Sequence, residues 1–418
     1  MVLSAKRAFL PKRGGELVES GHPHRKGDPV EASLADFFYL TSLLSETAGS
    51  LAGSFNKPCR DRPTLRLNWQ TKSSLFRLLQ HTRLHVKTEA RSMKNKIALE
   101  EHWSSPDTLG DSEHYFTPDI WPARRRQLLD VQEERIERMD ACGIGYTILS
   151  LNAPAIQGIA DTKRAIDVAR RANDLLAEQV IRRPDRFGAF AALPMQDPAA
   201  AARELERTVS ELGFKGALVN GFSQIASEDN ATYYDLPQYW PFWAEVERLD
   251  APFYLHPRNP LPSQMLAIEG HPWLMGPAWA FSPETGVHAL RLIGSGLFDT
   301  YPKLQVILGH LGELVQNNIW RTSHWASANG KNPMGVKAKR PFIDYFQKQF
   351  YVTTSGNFRT IAMRNAIDEI GSDRVLFSTD YPFETMEEAS EWFDHAEVCE
   401  NDREKIGIEN AKRLFRLP

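Results

Sequence analysis

The stretch Ala98-Leu99-Glu100-Glu101-His102 decides how the rest of this chain is interpreted. It follows Ile97 and predicts a short buried strand that ends in two carboxylates and an imidazole. Because side chains alternate along a strand, Glu100 and His102 are expected to face one side and Glu101 the other. A carboxylate and an imidazole on one face suit a divalent metal, although a solvated strand end shows the same pattern.

Composition narrows the class of protein. With 418 residues, 42% hydrophobic and 25% charged, the chain has the balance of a globular protein with a large core. Three cysteines without a Cys-x-x-Cys pair argue against a disulfide framework and fit a reducing, cytoplasmic environment. A net charge of −3 gives no reason to expect nucleic acid, and no apolar run is long enough to predict a membrane span.

Residues 1–92 differ in composition from the rest of the chain. Lys and Arg outnumber Asp and Glu there, and apolar residues are scattered. We expect a disordered leader, or an extension of the gene model ahead of a natural start at Met93. An organellar targeting segment is the alternative, but its acidic residues argue against it. The functional domain is therefore expected to span residues 93–418.

From residue 96 onward, short apolar runs alternate with longer amphipathic ones. The predicted strands are 97–100, 146–151, 187–193, 216–219, 252–256, 304–310, 350–354 and 375–379. The predicted helices are 123–141, 162–183, 198–212, 240–249, 283–295, 358–370, 387–399 and 402–414. Eight strands with intervening helices predict an α/β fold, a (β/α)₈ TIM barrel. A doubly wound open sheet is the alternative, but no Gly-x-Gly-x-x-Gly follows the first strand. Residues 233–240 and 271–281 are expected to be loops over the barrel mouth.

Polar residues end several of these strands. They are Glu100 and His102, Asn220, His256, His310 and Asp380. Each has an ordinary explanation, such as a hydrogen-bonded core histidine or a helix N-cap. Because a barrel brings the carboxyl ends of its strands to one mouth, we expect the residues to meet. Oxygen and imidazole ligands without cysteine suit Zn²⁺ or Mn²⁺.

Sequence segments in the same order resemble a known enzyme family. They include Ala-Leu-Glu-Glu-His at 98–102, Phe-Tyr-Leu-His-Pro-Arg-Asn-Pro at 253–260, Leu-Gly-His-Leu-Gly-Glu at 308–313 and Phe-Ser-Thr-Asp-Tyr-Pro-Phe-Glu at 377–384. From about residue 94 to the end, the chain resembles the amidohydrolase superfamily. Within it, the chain is most similar to γ-resorcylate (2,6-dihydroxybenzoate) and 2,3-dihydroxybenzoate decarboxylases. Glu100-x-His102, in place of the His-x-His usual in the superfamily, resembles the decarboxylase branch. Two features depart from that branch: Gln316 stands at a position usually occupied by Pro, and Asn317 and Asn318 stand where aromatic or apolar residues are common.

The resemblance implies a role for particular residues. The metal ligands would be Glu100, His102, His256 and Asp380, holding one divalent cation, Zn²⁺ or Mn²⁺. The catalytic residues would be Asp380 as proton donor to the substrate ring, His310 as the source of its proton, and Glu313, which would orient the imidazole of His310 and favour its protonated form. The substrate-binding residues would be Arg321, Asn220 and Phe281. Glu313 could alternatively be a first-turn acid that interacts with a helix dipole.

The resemblance also implies the reaction. We expect a carboxy-lyase that converts ortho-hydroxylated benzoates to phenols and CO₂, reversibly, by ring-carbon protonation followed by CO₂ loss. Its partners would be a small aromatic acid, CO₂ and further copies of the chain in a dimer or tetramer. A metal-dependent hydrolase of a lactone or amide on the same barrel is one alternative. A non-catalytic binding barrel is the other.

Overall fold

The computed structural model describes residues 92–326, 330–331 and 334–418. The predicted leader falls almost entirely on residues 1–91, which lie outside the described residues. Within the described part of the chain, no helix combines the length and apolarity needed to cross a bilayer.

Eight parallel strands form a closed barrel. They are β1 (Lys96–Trp103), β2 (Ile144–Leu151), β3 (Phe187–Ala189), β4 (Ala217–Asn220), β7 (Phe253–His256), β8 (Val306–Leu308), β9 (Phe350–Thr353) and β10 (Val375–Leu376). A small antiparallel hairpin, β5 (Ser223–Ile225) and β6 (Ser227–Thr232), follows β4. The strands pair in chain order, and a bridge between Ala191 and Ala217 joins β3 to β4. The amide of His102 donates to the carbonyl of Tyr381 at 2.7 Å and closes the ring. The predicted TIM barrel is confirmed.

Helices connect the strands around the outside. They are α1 (Trp121–Leu129), α2 (Glu134–Ala141), α3 (Thr162–Arg182), α4 (Pro198–Ser210), α5 (Trp240–Leu249), α6 (Phe281–Gly294), α7 (Leu297–Thr300), α8 (Val315–Ala326), α9 (Phe342–Gln349), α10 (Thr360–Ile370), α11 (Met386–His395), α12 (Glu400–Glu404) and α13 (Asn410–Phe415). Short 3₁₀ helices Leu109–Tyr115, Pro262–Ile268, Pro272–Leu274 and Gly276–Ala278 lie in the long loops.

Two helix predictions need correction, and two further helices were missed. The single helix predicted at 123–141 is two helices, because the Asp130 carboxylate accepts the backbone amides of Glu133 and Arg135 and starts α2 afresh. The closing helix at 402–414 is interrupted by a π-helical turn, Lys405–Glu409. Helices α8 and α9 are additional to the predicted set. In α8, Val315 is followed by Gln316 and two Asn residues, which weaken a helical pattern.

One of the two predicted mouth loops is also corrected. Residues 233–240 are not a loop over the mouth, since Tyr234 and Tyr239 are fully buried in the core outside the barrel. The Tyr239 hydroxyl donates to the carbonyl of Met195 at 2.6 Å, which holds the segment against the outer core. The 271–281 segment does lie at the mouth, as predicted, and supplies part of a cavity wall.

The apolar core has two layers. The inner layer takes side chains from within or beside all eight barrel strands, and Ala411 and Phe415 of α13 join it. The outer layer fills the space between the strands and the surrounding helices. Ile97 and Leu99 of β1 lie in the inner layer, whereas Ala98 and Trp103 lie in the outer one. Each buried Ile or Leu contributes about 1.5–3 kcal/mol, so β1 is anchored from both sides.

A β-bulge in β1 orients the decisive stretch. Leu99 pairs with Ile148 but Glu101 pairs with Leu149, so Glu100 is the extra residue, with a φ of 72°. Strict alternation would have turned both Glu100 and His102 outward with Ala98. The bulge instead turns both side chains to the inner side of the barrel, while Glu101 bonds to Thr379. The predicted shared facing of Glu100 and His102 is confirmed, and the bulge turns that face into the barrel.

Candidate metal centre and active site

The four predicted metal ligands meet at the mouth of the barrel. Nε2 of His256, at the end of β7, lies 3.2 Å from Oε1 of Glu100. Nε2 of His102 lies 3.3 Å from Oδ1 of Asp380, in the turn after β10. The rings of His102 and His256 meet edge to face with centroids 4.8 Å apart. Three strands far apart in sequence therefore converge on one small volume.

These side chains fit a divalent cation. Glu100, His102 and His256 each offer a ligand atom within 4.8 Å of the others, and Glu100 and Asp380 form a second such group with His310. Oε1 of Glu100 and Nε2 of His102 are buried and have no hydrogen-bond partner among the described residues. Unpaired buried polar atoms are costly. The convergence of these two atoms therefore indicates that a cation binds between them. The donor set suits one divalent metal ion.

Two glycines make room for this cluster. A Cβ on Gly309 would lie 3.0 Å from both carboxylate oxygens of Glu100. A Cβ on Gly356, whose φ is +57°, would lie 2.8 Å from Cδ2 of His310 and 3.0 Å from Oδ2 of Asp380. A side chain at Gly356 would therefore displace His310, and one at Gly309 would press on the Glu100 carboxylate, so the two glycines leave room for the cluster.

The protonation states suit cation binding. Burial alone would raise the pKa of Glu100, but His310 and His256 outweigh it and the pKa is lowered. The pKa of Asp380 is likewise lowered, because its contacts with His102 and His310 outweigh burial. Burial lowers the pKa of His256, which keeps this imidazole neutral at physiological pH. Metal ligands must be deprotonated, and these residues already are.

His310 carries the opposite charge. Its Nδ1 lies 2.5 Å from Oε1 of Glu313, and its Nε2 lies 3.5 Å from Oδ2 of Asp380. Although burial opposes it, the carboxylates of Glu313 and Glu100 raise the pKa of His310 well above its usual value. An imidazolium therefore rests directly beside the Asp380 carboxylate.

The backbone is strained where these residues sit. Glu100, His310, Glu313 and Asp380 all have positive φ, between 51° and 72°. A non-glycine residue in this region costs on the order of 1–3 kcal/mol, and such residues cluster at functional sites. The strained backbone positions therefore coincide with residues that the sequence predicts to be metal ligands or catalytic residues.

A cavity of about 550 Å³ opens onto the cluster. Its lining residues are His114, Tyr115, Phe116, Ala153, His256, Asn259, Pro272, Trp273, Met275, Pro277, Ala278, Phe281, His310, Asp380, Phe383 and Glu384. Its volume suits a small ligand, and its walls are mainly aromatic and apolar. Phe383 meets the ring of His102 edge to face at 5.3 Å and stacks on Phe116 at 5.9 Å. The polar end of the cavity is the candidate metal centre.

The cavity roof is tied to its wall by one side chain. Nδ2 of Asn259 donates to the hydroxyl of Tyr115 at 2.8 Å, and the amide of Gly276 donates to Oδ1 of Asn259 at 2.7 Å. Phe281 meets Tyr115 edge to face with centroids 6.0 Å apart. Asn259 therefore fixes the 271–281 segment over the cavity.

Comparison with known proteins agrees with this geometry. The model of the family described as Amidohydrolase matches residues 111–417. This chain belongs to the amidohydrolase family. It is 58% identical to the gamma-resorcylate decarboxylase of Rhizobium radiobacter, over 78% of this chain and 99% of that protein. The gamma-resorcylate decarboxylase of Polaromonas sp. shows the same identity and coverage. The predicted resemblance is confirmed.

Solved structures resemble the amidohydrolase fold of this chain closely. A 2,6-dihydroxybenzoate decarboxylase complexed with 2,6-dihydroxybenzoate aligns with a TM-score of 0.76 at 57% identity, over 78% of this chain and 100% of that one. A dihydroxybenzoic acid decarboxylase from Polaromonas sp. aligns equally well, over 98% of its chain; its structure holds manganese and the inhibitor 2-nitroresorcinol.

Two predicted substrate-binding residues of the amidohydrolase lie outside the cavity lining. Asn220 is buried, and its amide donates to the carbonyl of Asn152 at 3.1 Å. Arg321 is exposed on α8. Phe281 does line the cavity. The substrate contacts of all three residues stay predictions.

Further site residues of the amidohydrolase were not predicted. Asn259 and Phe383 line the cavity, and both lie within segments that already carried the family resemblance. Their signal was their place directly beyond His256 and Asp380, where loop residues border a barrel mouth. Tyr254 and Thr353 contact Glu100 from inside the barrel. Their sequence pattern is that of ordinary strand residues, so nothing distinguished them.

Proposed function

We propose that this amidohydrolase is a non-oxidative decarboxylase of ortho-hydroxylated benzoates, with 2,6-dihydroxybenzoate as substrate and resorcinol and CO₂ as products. It would use one divalent cation, with Mn²⁺ preferred because a similar enzyme holds manganese. The observation that carries the proposal is the pairing of a cation-binding cluster with a protonated imidazole at the polar end of an aromatic-lined cavity.

The ligand cluster would bind the polar edge of the substrate. Glu100, His102, His256 and Asp380 would hold the cation. When bound, the cation supplies a Lewis acid for the carboxylate and ortho-phenolate oxygens of the substrate. Phe383 and Phe281 provide apolar walls for the ring. Together these contacts would fix the carboxylate-bearing ring carbon near Asp380.

Proton transfer would run through His310 and Asp380. At rest the proton belongs to His310, because the pKa of Asp380 is lowered and that of His310 is raised. We infer that His310 passes this proton to Asp380 Oδ2, which delivers it to the ring carbon that bears the carboxylate. The electron pair of the carbon–carboxylate bond then returns to the ring as CO₂ leaves. No electrons are gained or lost, and the reverse sequence carboxylates a phenol.

Glu313 would maintain the charge on His310. Its side chain is fully buried and lies 2.5 Å from His310 Nδ1, so it orients the ring and stabilises the imidazolium. This contact favours the predicted catalytic role over that of a helix-dipole acid, because the carboxylate is engaged by the imidazole.

We also propose that the enzyme is a cytoplasmic homo-oligomer, a dimer or a tetramer. The wide apolar faces of Trp320 and Trp325 on α8 are 65% and 46% exposed, which supports association between copies. Analytical ultracentrifugation of the full chain tests the assembly. A fusion of residues 1–92 to a fluorescent reporter tests whether an organelle is the destination instead.

A substrate panel under anaerobic conditions tests the proposed reaction. The purified protein, loaded with Mn²⁺, is offered several hydroxybenzoates, and products are separated by chromatography. We expect resorcinol from 2,6-dihydroxybenzoate and no turnover of benzoates that lack an ortho hydroxyl. The same preparation is offered lactones and amides. Hydrolysis of these without any decarboxylation would overturn the proposal.

A further inference from the structure

The two carboxylate oxygens of Glu100 have different surroundings. Oε2 is in hydrogen-bond contact with the Tyr254 hydroxyl and lies 3.2 Å from Oγ1 of Thr353. The two hydroxyls also lie 2.9 Å from each other. Oε1 instead has no hydrogen-bond partner among the described residues and lies 3.2 Å from Nε2 of His256.

We propose that Tyr254 and Thr353 are positioning residues that occupy Oε2 of Glu100, so that Oε1 alone is presented to the cation. The inference rests on the proposed function, since it concerns the same metal centre. Neither residue would touch substrate or cation; both act through Glu100.

The barrel is shaped around this carboxylate. Tyr254 lies on β7 two residues before His256, and Thr353 ends β9. Between these strands, β8 is followed by Gly309, which has no side chain to collide with Glu100 or with the Tyr254 hydroxyl. Three adjacent strands therefore form one buried pocket for Oε2. Its two hydroxyl donors retain their protons at neutral pH.

The pocket would orient the Glu100 carboxylate, which needs this support because Glu100 lies in a bulge. Its φ of 72° and its place outside the regular pairing leave its side chain without the support of a strand register. Two hydroxyl donors on one oxygen would set the rotation of the carboxylate and leave one oxygen free. Partners that orient a metal ligand in this way change metal affinity roughly 10- to 100-fold when they are removed.

The test removes each hydroxyl while it keeps side-chain volume. In the full chain, Tyr254→Phe and Thr353→Val are treated with chelator, and Mn²⁺ affinity is measured by equilibrium dialysis. We expect Mn²⁺ to bind roughly 10- to 100-fold more weakly in each variant. Because both hydroxyls serve one oxygen, the double variant should lose less than the sum of the two changes.

Tyr351→Phe is the matched control. This tyrosine belongs to the same inner core layer, but it packs beneath Arg374. We expect it to bind Mn²⁺ like the unaltered protein. Equal affinity in Tyr254→Phe, Thr353→Val and the unaltered chain would overturn the inference, as would an equal loss in Tyr351→Phe.

Thermal melting of the chelator-treated proteins separates positioning from folding. A variant that melts normally yet binds Mn²⁺ weakly supports the inference, and Thr353→Val decides it should Tyr254→Phe fail to fold. The proposed function fails on different evidence. If the unaltered protein binds Mn²⁺ but decarboxylates no hydroxybenzoate, the proposed function is wrong while the binding comparison still stands.

Discussion

Asp380 shows how neighbouring residues set the chemistry of one side chain. It is nearly buried, yet contacts with His102 and His310 lower its pKa below that of an ordinary aspartate. An acid of this kind cannot store a proton, so it depends on a partner that can. His310 is that partner, because Glu313 and Glu100 raise its pKa. The proposed proton transfer follows from the pair rather than from either residue alone.

Replacing Asp380 with asparagine separates proton transfer from metal binding. We expect Asp380→Asn to retain Mn²⁺, since Glu100, His102 and His256 remain. Turnover should fall by roughly 10²–10⁴-fold, because the amide cannot pass a proton to the ring. Metal content and kcat are measured on the same preparation. Near-normal kcat would assign the proton donor to another residue.

Gly356 is expected to be required both because its φ is positive and because a side chain there would collide with His310 and Asp380. Gly356→Ala should cost about 1–2 kcal/mol from its positive φ and also displace His310 and Asp380, so activity is lost. Gly371→Ala is the matched control, since its φ is +87° but a Cβ there would meet nothing within 4 Å. It should be destabilised with full activity. Equal activity in both variants would contradict the packing described here.

At the scale of elements, Asn259 links the roof segment, residues 271–281, to the wall of the cavity. Asn259 accepts from the amide of Gly276 and donates to Tyr115, and so links the roof to the opposite wall. None of these three residues belongs to the metal cluster. The link therefore acts on the shape of the cavity and not on the reacting groups.

Asn259→Ala should chiefly weaken substrate binding. We expect KM for 2,6-dihydroxybenzoate to rise several-fold while kcat changes little, since each lost hydrogen bond contributes roughly 0.5–1.5 kcal/mol. Tyr115→Phe removes one of the two bonds and should give a smaller rise. A fall in kcat with unchanged KM in Asn259→Ala would place this residue in the chemical step instead.

Element order could be predicted from the sequence, whereas local irregularities could not. Eight apolar runs were enough for the barrel, and polar residues at their ends located Glu100, His102, His256, His310 and Asp380. The bulge at Glu100 leaves no pattern of its own, because Glu100 and His102 share a side of β1 with or without it. The break at Asp130 depends on a capping bond within a continuous amphipathic run.

Some contacts in the site depend on tertiary structure alone. Tyr254 and Thr353 have the composition of any buried strand, and only their three-dimensional contacts with Glu100 distinguish them. Glycines at 309 and 356 are likewise ordinary in sequence. Their importance follows from atoms more than forty residues away or on the next strand, which no local pattern records.

For the whole molecule, buried His288 predicts sensitivity to acid. Its Nε2 accepts the amide of Tyr234 at 3.2 Å, and burial, with Arg291 nearby, lowers its pKa to about 3. Since the unfolded histidine titrates near 6.5, it binds a proton that the folded one refuses. The stability that this residue contributes is therefore complete above pH 6.5 and is lost as pH falls toward 3.

The acid sensitivity can be measured by denaturant unfolding across this pH range. His288→Gln keeps an acceptor for the Tyr234 amide but cannot titrate. Between pH 6.5 and pH 4, we expect its free energy of unfolding to fall less steeply than that of the unaltered protein, by at most about 1.4 kcal/mol per pH unit. Parallel profiles would show that another group dominates acid unfolding.

The central claim is that decarboxylation requires the cation bound at the barrel mouth. The full chain is stripped with chelator, its residual metal is quantified, and loss of 2,6-dihydroxybenzoate is followed before and after Mn²⁺ is added back. We predict that decarboxylation disappears with the metal and returns when one equivalent of Mn²⁺ is bound. Undiminished decarboxylation by protein free of metal would contradict the role assigned to Glu100, His102, His256 and Asp380.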